Sequence, residues 1–437
     1  MQNRNKGITL IALIITIIIL LILVGVSINL AIKGDLFGSA QKAVSGTNDK
    51  TAQEQTRVDE LMGELGRVEE QQRQDNLPGT RVTENTKYIR DGKTAWIPKG
   101  FTVSGIKSEQ SIDDGLVIYD IPEGTTVDWT NPNSVKTAYN QFVWIPVEVT
   151  ASDTETNIVA FTRSKWTANA ETGGERTTGL STDYTEPDST NDTTDKTGIV
   201  DQITELTKSI YKYGGFYIGR YEAGSKTPRT SSSGVTEIGI KQDMYPYNYV
   251  KWGDSMSSIG TTGAVYLSNS LYNTNEYGAT SMLCTGACWD SMLDFIKDSK
   301  HSVTDSTKWG NYKNSETFEI TRGAYAVFNT SNYTLGSFNN VGSKYSKMKD
   351  TSILLTTGAT ERNCSKNIYD VAGNCFEWTT ESSSSCYRVF RGRLLLLRWF
   401  LRSSELSWLQ PLSDGQRQWH FFPFCTLCIT VGLQAIK

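Results

Sequence analysis

The chain has 437 residues, with 43 Lys plus Arg against 47 Asp plus Glu and a pI near 5.5. That balance speaks against a non-specific nucleic-acid binder, which needs a basic footprint, and two histidines, His301 and His420, speak against a His-rich metalloenzyme. With 38% hydrophobic residues, 37 Gly and 10 Pro, neither wholesale disorder nor a fibrous repeat fits, and the length suits two or three domains.

Residues 8–32 are 25 consecutive residues without a charge, dominated by Ile and Leu. As a helix they would span about 37 Å, enough to cross a hydrocarbon core, so a transmembrane helix is predicted here. Arg4 and Lys6 precede it, which favours a cytoplasmic N-terminus and an extracellular C-terminal bulk in a single-pass bacterial membrane protein. The basic leader ending in Lys6-Gly7, followed by Ile8-Thr9-Leu10 and the apolar run, resembles a type IV prepilin. The resemblance implies cleavage between Gly7 and Ile8 by a prepilin peptidase, with N-methylation of the new terminus. Ala12 stands where that family carries a glutamate used in filament assembly.

Residues 33–83 read as a stem. Val58, Leu61, Met62, Leu65 and Val68 have helical spacing, whereas Gly46-Thr47-Asn48-Asp49, Gly63 and Gly66 argue against one unbroken rod. A spacer is expected, with a coiled-coil stalk as the other reading. Pro78-Gly79 marks a boundary.

From residue 84 the sequence becomes a mosaic of short apolar and aromatic runs between turn residues. Strands are predicted at Thr94 to Pro98, Phe101 to Ser104, Leu116 to Tyr119, Phe142 to Val147, Phe216 to Arg220 and Gly323 to Phe328. Residues 152–192, rich in Thr, Ser, Glu and Asp, read as a surface insertion. One helix is predicted after Gly286-Ala287, with Trp289, Met292, Leu293 and Ile296 facing the core and Asp290, Asp294 and Asp298 on a solvent side. The expected fold class is α+β.

The run Asn367-Ile368-Tyr369-Asp370-Val371-Ala372-Gly373-Asn374-Cys375-Phe376-Glu377-Trp378-Thr379, with Phe390-Arg391-Gly392 after it, resembles the formylglycine-generating enzyme / sulfatase-modifying-factor family. Gln141 to Val147, Gly214 to Gly224, Gly286 to Asp290 and Thr357-Gly358-Ala359 agree with it, so the resemblance covers residues 84–392. It implies a C-type-lectin-like fold. It also implies a calcium site in which Asp370 and Glu377 give carboxylate oxygens and Gly373 and Cys375 give backbone oxygens. The residues alone allow that convergence, because a turning loop can bring Asp370 and Glu377 onto a hard cation. They equally allow a plainer arrangement, with Asp370 and Asn374 capping turns and Glu377 paired with Arg391.

The copper-using oxidases of that family carry two cysteines just beyond the motif, where this chain reads Arg391-Gly392-Arg393-Leu394-Leu395-Leu396-Leu397-Arg398. No copper and no catalysis are therefore expected. The expected function is a membrane-anchored, non-catalytic binding or adhesion protein for an extracellular protein or glycan. A pseudopilin-like structural component is the alternative, and a formylglycine-generating cysteine oxidase a remote one.

Residues 393–437 break with what precedes them. All 20 tyrosines of the chain lie at or before Tyr387, and residues 393–430 hold nine leucines and one glycine. A one-base reading shift would turn leucine codons into Phe or Tyr codons and restore the aromatic, Gly-rich ending that the family has. Only Val431-Gly432-Leu433 echoes that ending. The final strands are accordingly expected to be aberrant, which would leave a sheet edge unsatisfied; an authentic divergent or variable ending and a second membrane-associated segment are the other readings.

Overall fold

The computed structural model describes residues 16, 18–20, 43–178, 186, 198–231, 234, 236–253, 259–272, 276–329, 331, 334–384, 387–392, 408–411, 425–427 and 429–433. The leader with Gly7 and Ile8, most of the apolar run, and much of residues 393–437 lie outside them. Thr16 and residues 18–20 are helical, with Ile18, Ile19 and Leu20 half exposed. Among the described residues, no helix is long and apolar enough to cross a membrane. The chain divides into two compact units, Met1–Gln72 and Arg73–Lys437.

The stem is one helix, α1 (Ala43–Asp75), running unbroken through Gly46, Gly63 and Gly66 against the expectation from those glycines. Each glycine costs about 1 kcal/mol against alanine in a helix, a penalty spread here over 33 residues rich in Glu, Gln and Arg. Its last turn enters the second unit at Gln74, whose Oε1 accepts from Ile89 N at 2.9 Å while its Nε2 donates to Lys87 O at 3.1 Å.

The second unit mixes α and β. A hairpin, β1 (Thr86–Arg90) and β2 (Lys93–Ile97), precedes β3 (Thr102–Val103), β4 (Val117–Tyr119), helix α2 (Pro132–Ala138) and β5 (Gln141–Pro146). Residues 152–192 are not a bare insertion: β6 (Ser164–Thr167) pairs with β7 (Glu175–Thr178), and Phe161, Arg163 and Trp166 are buried. Helix α3 (Ile199–Tyr213) leads into β8 (Gly215–Gly219). Three two-residue strands follow, β9 (Gly224–Ser225), β10 (Ile238–Gly239) and β11 (Tyr245–Pro246). Then come α4 (Ala264–Ser270), β12 (Ala279–Leu283) and α5 (Gly286–Ile296). A satellite region holds β13 (Phe318–Ile320), β14 (Ala324–Asn329), β15 (Thr334–Leu335), β16 (Asn339–Asn340), β17 (Tyr345–Lys347) and β18 (Ile353–Leu355). The remaining strands are β19 (Cys364–Ser365), β20 (Ile368–Tyr369), β21 (Phe376–Ser384), β22 (Tyr387–Gly392), β23 (Trp408–Pro411), β24 (Cys425–Leu427) and β25 (Ile429–Leu433).

The largest sheet has the order β12-β25-β8-β5-β4-β3, antiparallel throughout. Its middle strands read as continuous apolar runs because both faces are covered. Ile118, Phe142, Trp144 and Tyr217 point into one core, while Val117, Tyr119, Val143, Ile145, Phe216 and Ile218 point into the other. Helix α5 lies on the second core with Trp289, Met292, Leu293 and Ile296, as its spacing predicts. A third, smaller core of Phe318, Ile320, Val341, Ile353, Leu355 and Ala359 sits under the satellite strands.

Among the described residues, the tail supplies strands to two sheets. Strand β25 fills an interior slot, with Leu433 opposite Ala279 on β12 and Thr430 opposite Ile218 on β8. The ladder is made by backbone groups, so unusual composition does not prevent pairing, and Ile429-Thr430-Val431 is β-branched throughout. Strand β23 pairs with β22, and β24 runs parallel to β21.

Candidate functional site

The motif from Asn367 to Thr379 folds as a loop, a short strand and the start of β21. Asn367, Asp370, Gly373 and Asn374 all have positive φ (64°, 61°, 86° and 62°). At Gly373 this is obligatory: a Cβ would lie 2.3 Å from the Asn311 carbonyl oxygen, because Asn311 and Gly373 form a backbone bridge.

Each polar side chain of the loop holds a distant segment. Asn367 Nδ2 donates to Gly115 O at 2.8 Å and Asp114 O at 3.2 Å, while its Oδ1 accepts from Arg220 Nη2 at 3.1 Å. Tyr369 donates its hydroxyl to Glu361 Oε2 at 2.8 Å. Asn374 uses its full capacity: Nδ2 donates to Glu222 Oε2 (3.0 Å) and Leu355 O (3.2 Å), and Oδ1 accepts from Leu355 N (2.9 Å) and Asn311 Nδ2 (3.1 Å). Trp378 is core, donating Nε1 to Val250 O at 3.0 Å.

Asp370 is fully buried; its Oδ2 accepts from Gly358 N at 2.7 Å and its Oδ1 from the Asn363 amide at 3.3 Å. Burial pushes its carboxyl up to about 6. Because the folded value is raised, its stabilising contribution is full below the ordinary 3.8 and is lost as pH rises through about 6. Asp370→Asn is expected to remove that part of the pH dependence, seen as a flatter melting temperature across this window. The Asn363 amide can flip to accept from the new amide, since its Oδ1 has no other partner. A melting profile unchanged by the substitution would show that Asp370 does not titrate there.

The four residues expected at a calcium site are thus neighbours along one loop and the start of β21. Asp370 Oδ1 and Oδ2 each accept one hydrogen bond, Cys375 is buried in the first core, and the bridge between Gly373 and Asn311 is made through Ala372 O and Asn374 N. Among the described residues, no three His, Cys, Asp or Glu side chains converge as a metal group. Glu377 is buried and stands opposite Arg391 in the β21–β22 register, yet the Arg391 guanidinium goes elsewhere, correcting the expected Glu377–Arg391 pair.

It goes to Glu381, two residues past the motif. Arg391 donates from Nε to Glu381 Oε2 at 2.8 Å and from Nη2 to Oε1 at 2.6 Å. Arg163 Nε donates to the same Oε1 at 2.6 Å, and Arg163 Nη1 also pairs with Asp290. All four charged groups are at most 3% exposed. Asp290 therefore does not belong to the solvent side of its helix, as the sequence suggests; it is the buried partner of an arginine from the supposed insertion. Burial pushes the Glu381 carboxyl up, but Arg391 and Arg163 outweigh it and hold it at about 2. Above this quartet, Glu186 accepts from Gly286 N and Ala287 N at the start of α5 and from the Thr380 hydroxyl at 2.6 Å. Burial, reinforced by Glu381, pushes Glu186 up to about 7.

A second buried network joins Arg220, Glu109, Tyr119 and Gln141. Arg220 Nη1 donates to Glu109 Oε1 at 2.8 Å, and Lys136 lies 3.1 Å from the same oxygen. Neither Glu381, Arg163 nor Glu109 was legible as a site residue. Glu109 and Glu381 stand among Ser, Thr and Gln, and Arg163 between Thr162 and Ser164, a setting they share with many exposed charges.

Cys284, Cys288 and Cys375 are buried, and burial pushes the Cys364 thiol up to about 11, so Cys364 is poorly ionised at neutral pH. Cys386 and Cys428 lie outside the described residues. Compared with protein-family models, curated proteins and solved structures, the chain matches none of them.

Proposed function

We propose that this chain is a membrane-anchored, surface-exposed binding or adhesion protein, built on a non-catalytic formylglycine-generating-enzyme-like domain of C-type-lectin-like fold. The family reading is supported by a convergence: the segments that carry the resemblance touch one another. Gln141 and Asn367 meet at Arg220, Gly358 donates to Asp370, and Asp290 meets the β21–β22 pair through Arg163 and Glu381.

The observation that carries the binding reading is the division of labour between two surfaces. Polar groups of the motif are engaged in lacing the scaffold. The satellite strands instead turn adaptable groups outward: Val327 is 43% exposed, Asn329, Asn339 and Asn340 are exposed, and half-buried Tyr325 and Tyr345 stack at 3.7 Å. Tyr and Asn together provide rigid contact area and adaptable hydrogen bonding.

The test is a binding screen of the full chain displayed on cells, against glycans and extracellular proteins. A ligand should be found, and Asn340→Ala with Val327→Asp should weaken it about tenfold or more without lowering the melting temperature. A ligand indifferent to both substitutions would move the binding face elsewhere. A screen without any ligand would favour the structural, pseudopilin-like alternative.

A further inference from the structure

Glu186 belongs to the connection between β7 and α3, yet its carboxyl is seated at the start of α5, 100 residues further along the chain. The N-cap Thr285 accepts from Cys288 N at 3.0 Å, and the N–H groups of Gly286 and Ala287 are taken by Glu186 Oε1. Its other oxygen, Oε2, lies 2.6 Å from the Thr380 hydroxyl of β21. The seat rests directly on the buried quartet: a Cβ added at Gly286 would come within 2.3 Å of the Glu381 carboxyl carbon and 2.5 Å of Arg163 Nε. That quartet is already balanced, since Arg163 and Arg391 meet Glu381 and Asp290. Arg176, Asp294 and Lys297 pair among themselves further along α5. An ionised Glu186 therefore adds an excess negative charge to a neutral, buried cluster, answered by the helix N-terminus with only about half an elementary charge.

We propose that Glu186 is a proton-operated tie, whose carboxyl docks on the start of α5 and on Thr380 when protonated and lets go when ionised. Protonation costs the seat none of its bonds. Oε1 still accepts from the two backbone N–H groups, while Oε2 carries a hydrogen that it donates to the Thr380 hydroxyl oxygen. Loss of that proton sets the carboxylate against the carboxylate of Glu381. Burial, reinforced by Glu381, raises the Glu186 carboxyl to about 7. The tie is therefore strongest below the ordinary 4.5 and weakens as pH rises through 7. Glu381, held at about 2, stays ionised throughout that window, and Arg163 and Arg391 stay charged. One group thus carries the switch.

Hydrogen exchange of the full chain tests this at the Gly286 and Ala287 amides, which Glu186 protects. The parent chain is compared with Glu186→Gln and Glu186→Ala at pH 5 and at pH 8. Comparison at one pH removes the intrinsic pH dependence of exchange, because the sequence around the two amides is the same in all three chains. Glu186→Gln keeps the shape and the bonds without a charge, so it should protect both amides at either pH. The parent should match it at pH 5 and exchange about tenfold faster or more at pH 8. Glu186→Ala should exchange fast at both. Parent and Glu186→Gln alike at pH 8 would overturn the proposal, and so would Glu186→Gln as fast as Glu186→Ala at pH 5. Exchange across β5 should be equal in all three chains; should Glu186→Ala loosen it, parent against Glu186→Gln at pH 8 still decides.

Discussion

Replacing Glu381 by alanine is expected to cost the second unit roughly 3–5 kcal/mol, read from chemical denaturation of the full chain. The carboxylate takes three bonds from two buried guanidinium groups and one from the Thr379 hydroxyl at 3.0 Å. Its removal leaves Arg391 without the partner that lets it be buried, and Arg163 with Asp290 alone. Glu381→Gln, which keeps the shape, should cost less. A loss below about 1 kcal/mol for the alanine variant would mean that the quartet behaves as an exposed ion pair. The acid limb should change as well. Glu381 is held at about 2, so its contribution is present above the ordinary 4.5 and lost as pH falls through 2. Glu186 works in the opposite sense, since its raised value of about 7 makes its contribution full below 4.5 and lost as pH rises through 7.

Ending the chain before Ile429 should abolish cooperative unfolding altogether. Strand β25 lies between β8 and β12, so its loss strips backbone partners from both neighbours inside the sheet. Each buried backbone group left unsatisfied costs about 1–3 kcal/mol, and several at once exceed the 5–15 kcal/mol that separates folded from unfolded domains. Loss of the thermal transition in the truncated chain is the expected readout. A sharp transition at an unchanged temperature would show that β25 is dispensable.

The strands of the second unit were legible because their apolar runs are short, β-branched or aromatic, and bounded by turn residues. The predicted runs at 94–98, 101–104, 116–119, 142–147, 216–220 and 323–328 all coincide with strands. Helix α3 went unread although its signal is present: Ile199, Ile203, Leu206 and Ile210 recur at steps of four, three and four, between Gly198 and Gly214 in left-handed conformation. Polar Thr, Ser and Lys residues between them made the segment resemble the Thr-rich stretch before it. Asp290 misled for another reason. Helical periodicity can say which face a residue shares, but not whether an arginine far away in sequence waits on that face. The motif loop was found by its residue types. Its actual work at Asn374 and Asp370 depended on partners at Glu222, Leu355 and Gly358 that only tertiary folding brings near.

The position of β25 also bears on how the molecule comes into being. Ile218 pairs with Thr430, so the central sheet joins segments from the middle and the far end of the sequence. Closing so long a loop is entropically slow, and folds dominated by distant pairings form on the slower end of the range. During synthesis, β8 and β12 emerge long before the strand that must lie between them. Until residues 429–433 arrive, both present open edges to every other unfinished copy nearby. A chain that crosses a membrane as it is made would meet that interval on the outer side, where a holding chaperone or a low local concentration of nascent chains decides between sheet closure and aggregation.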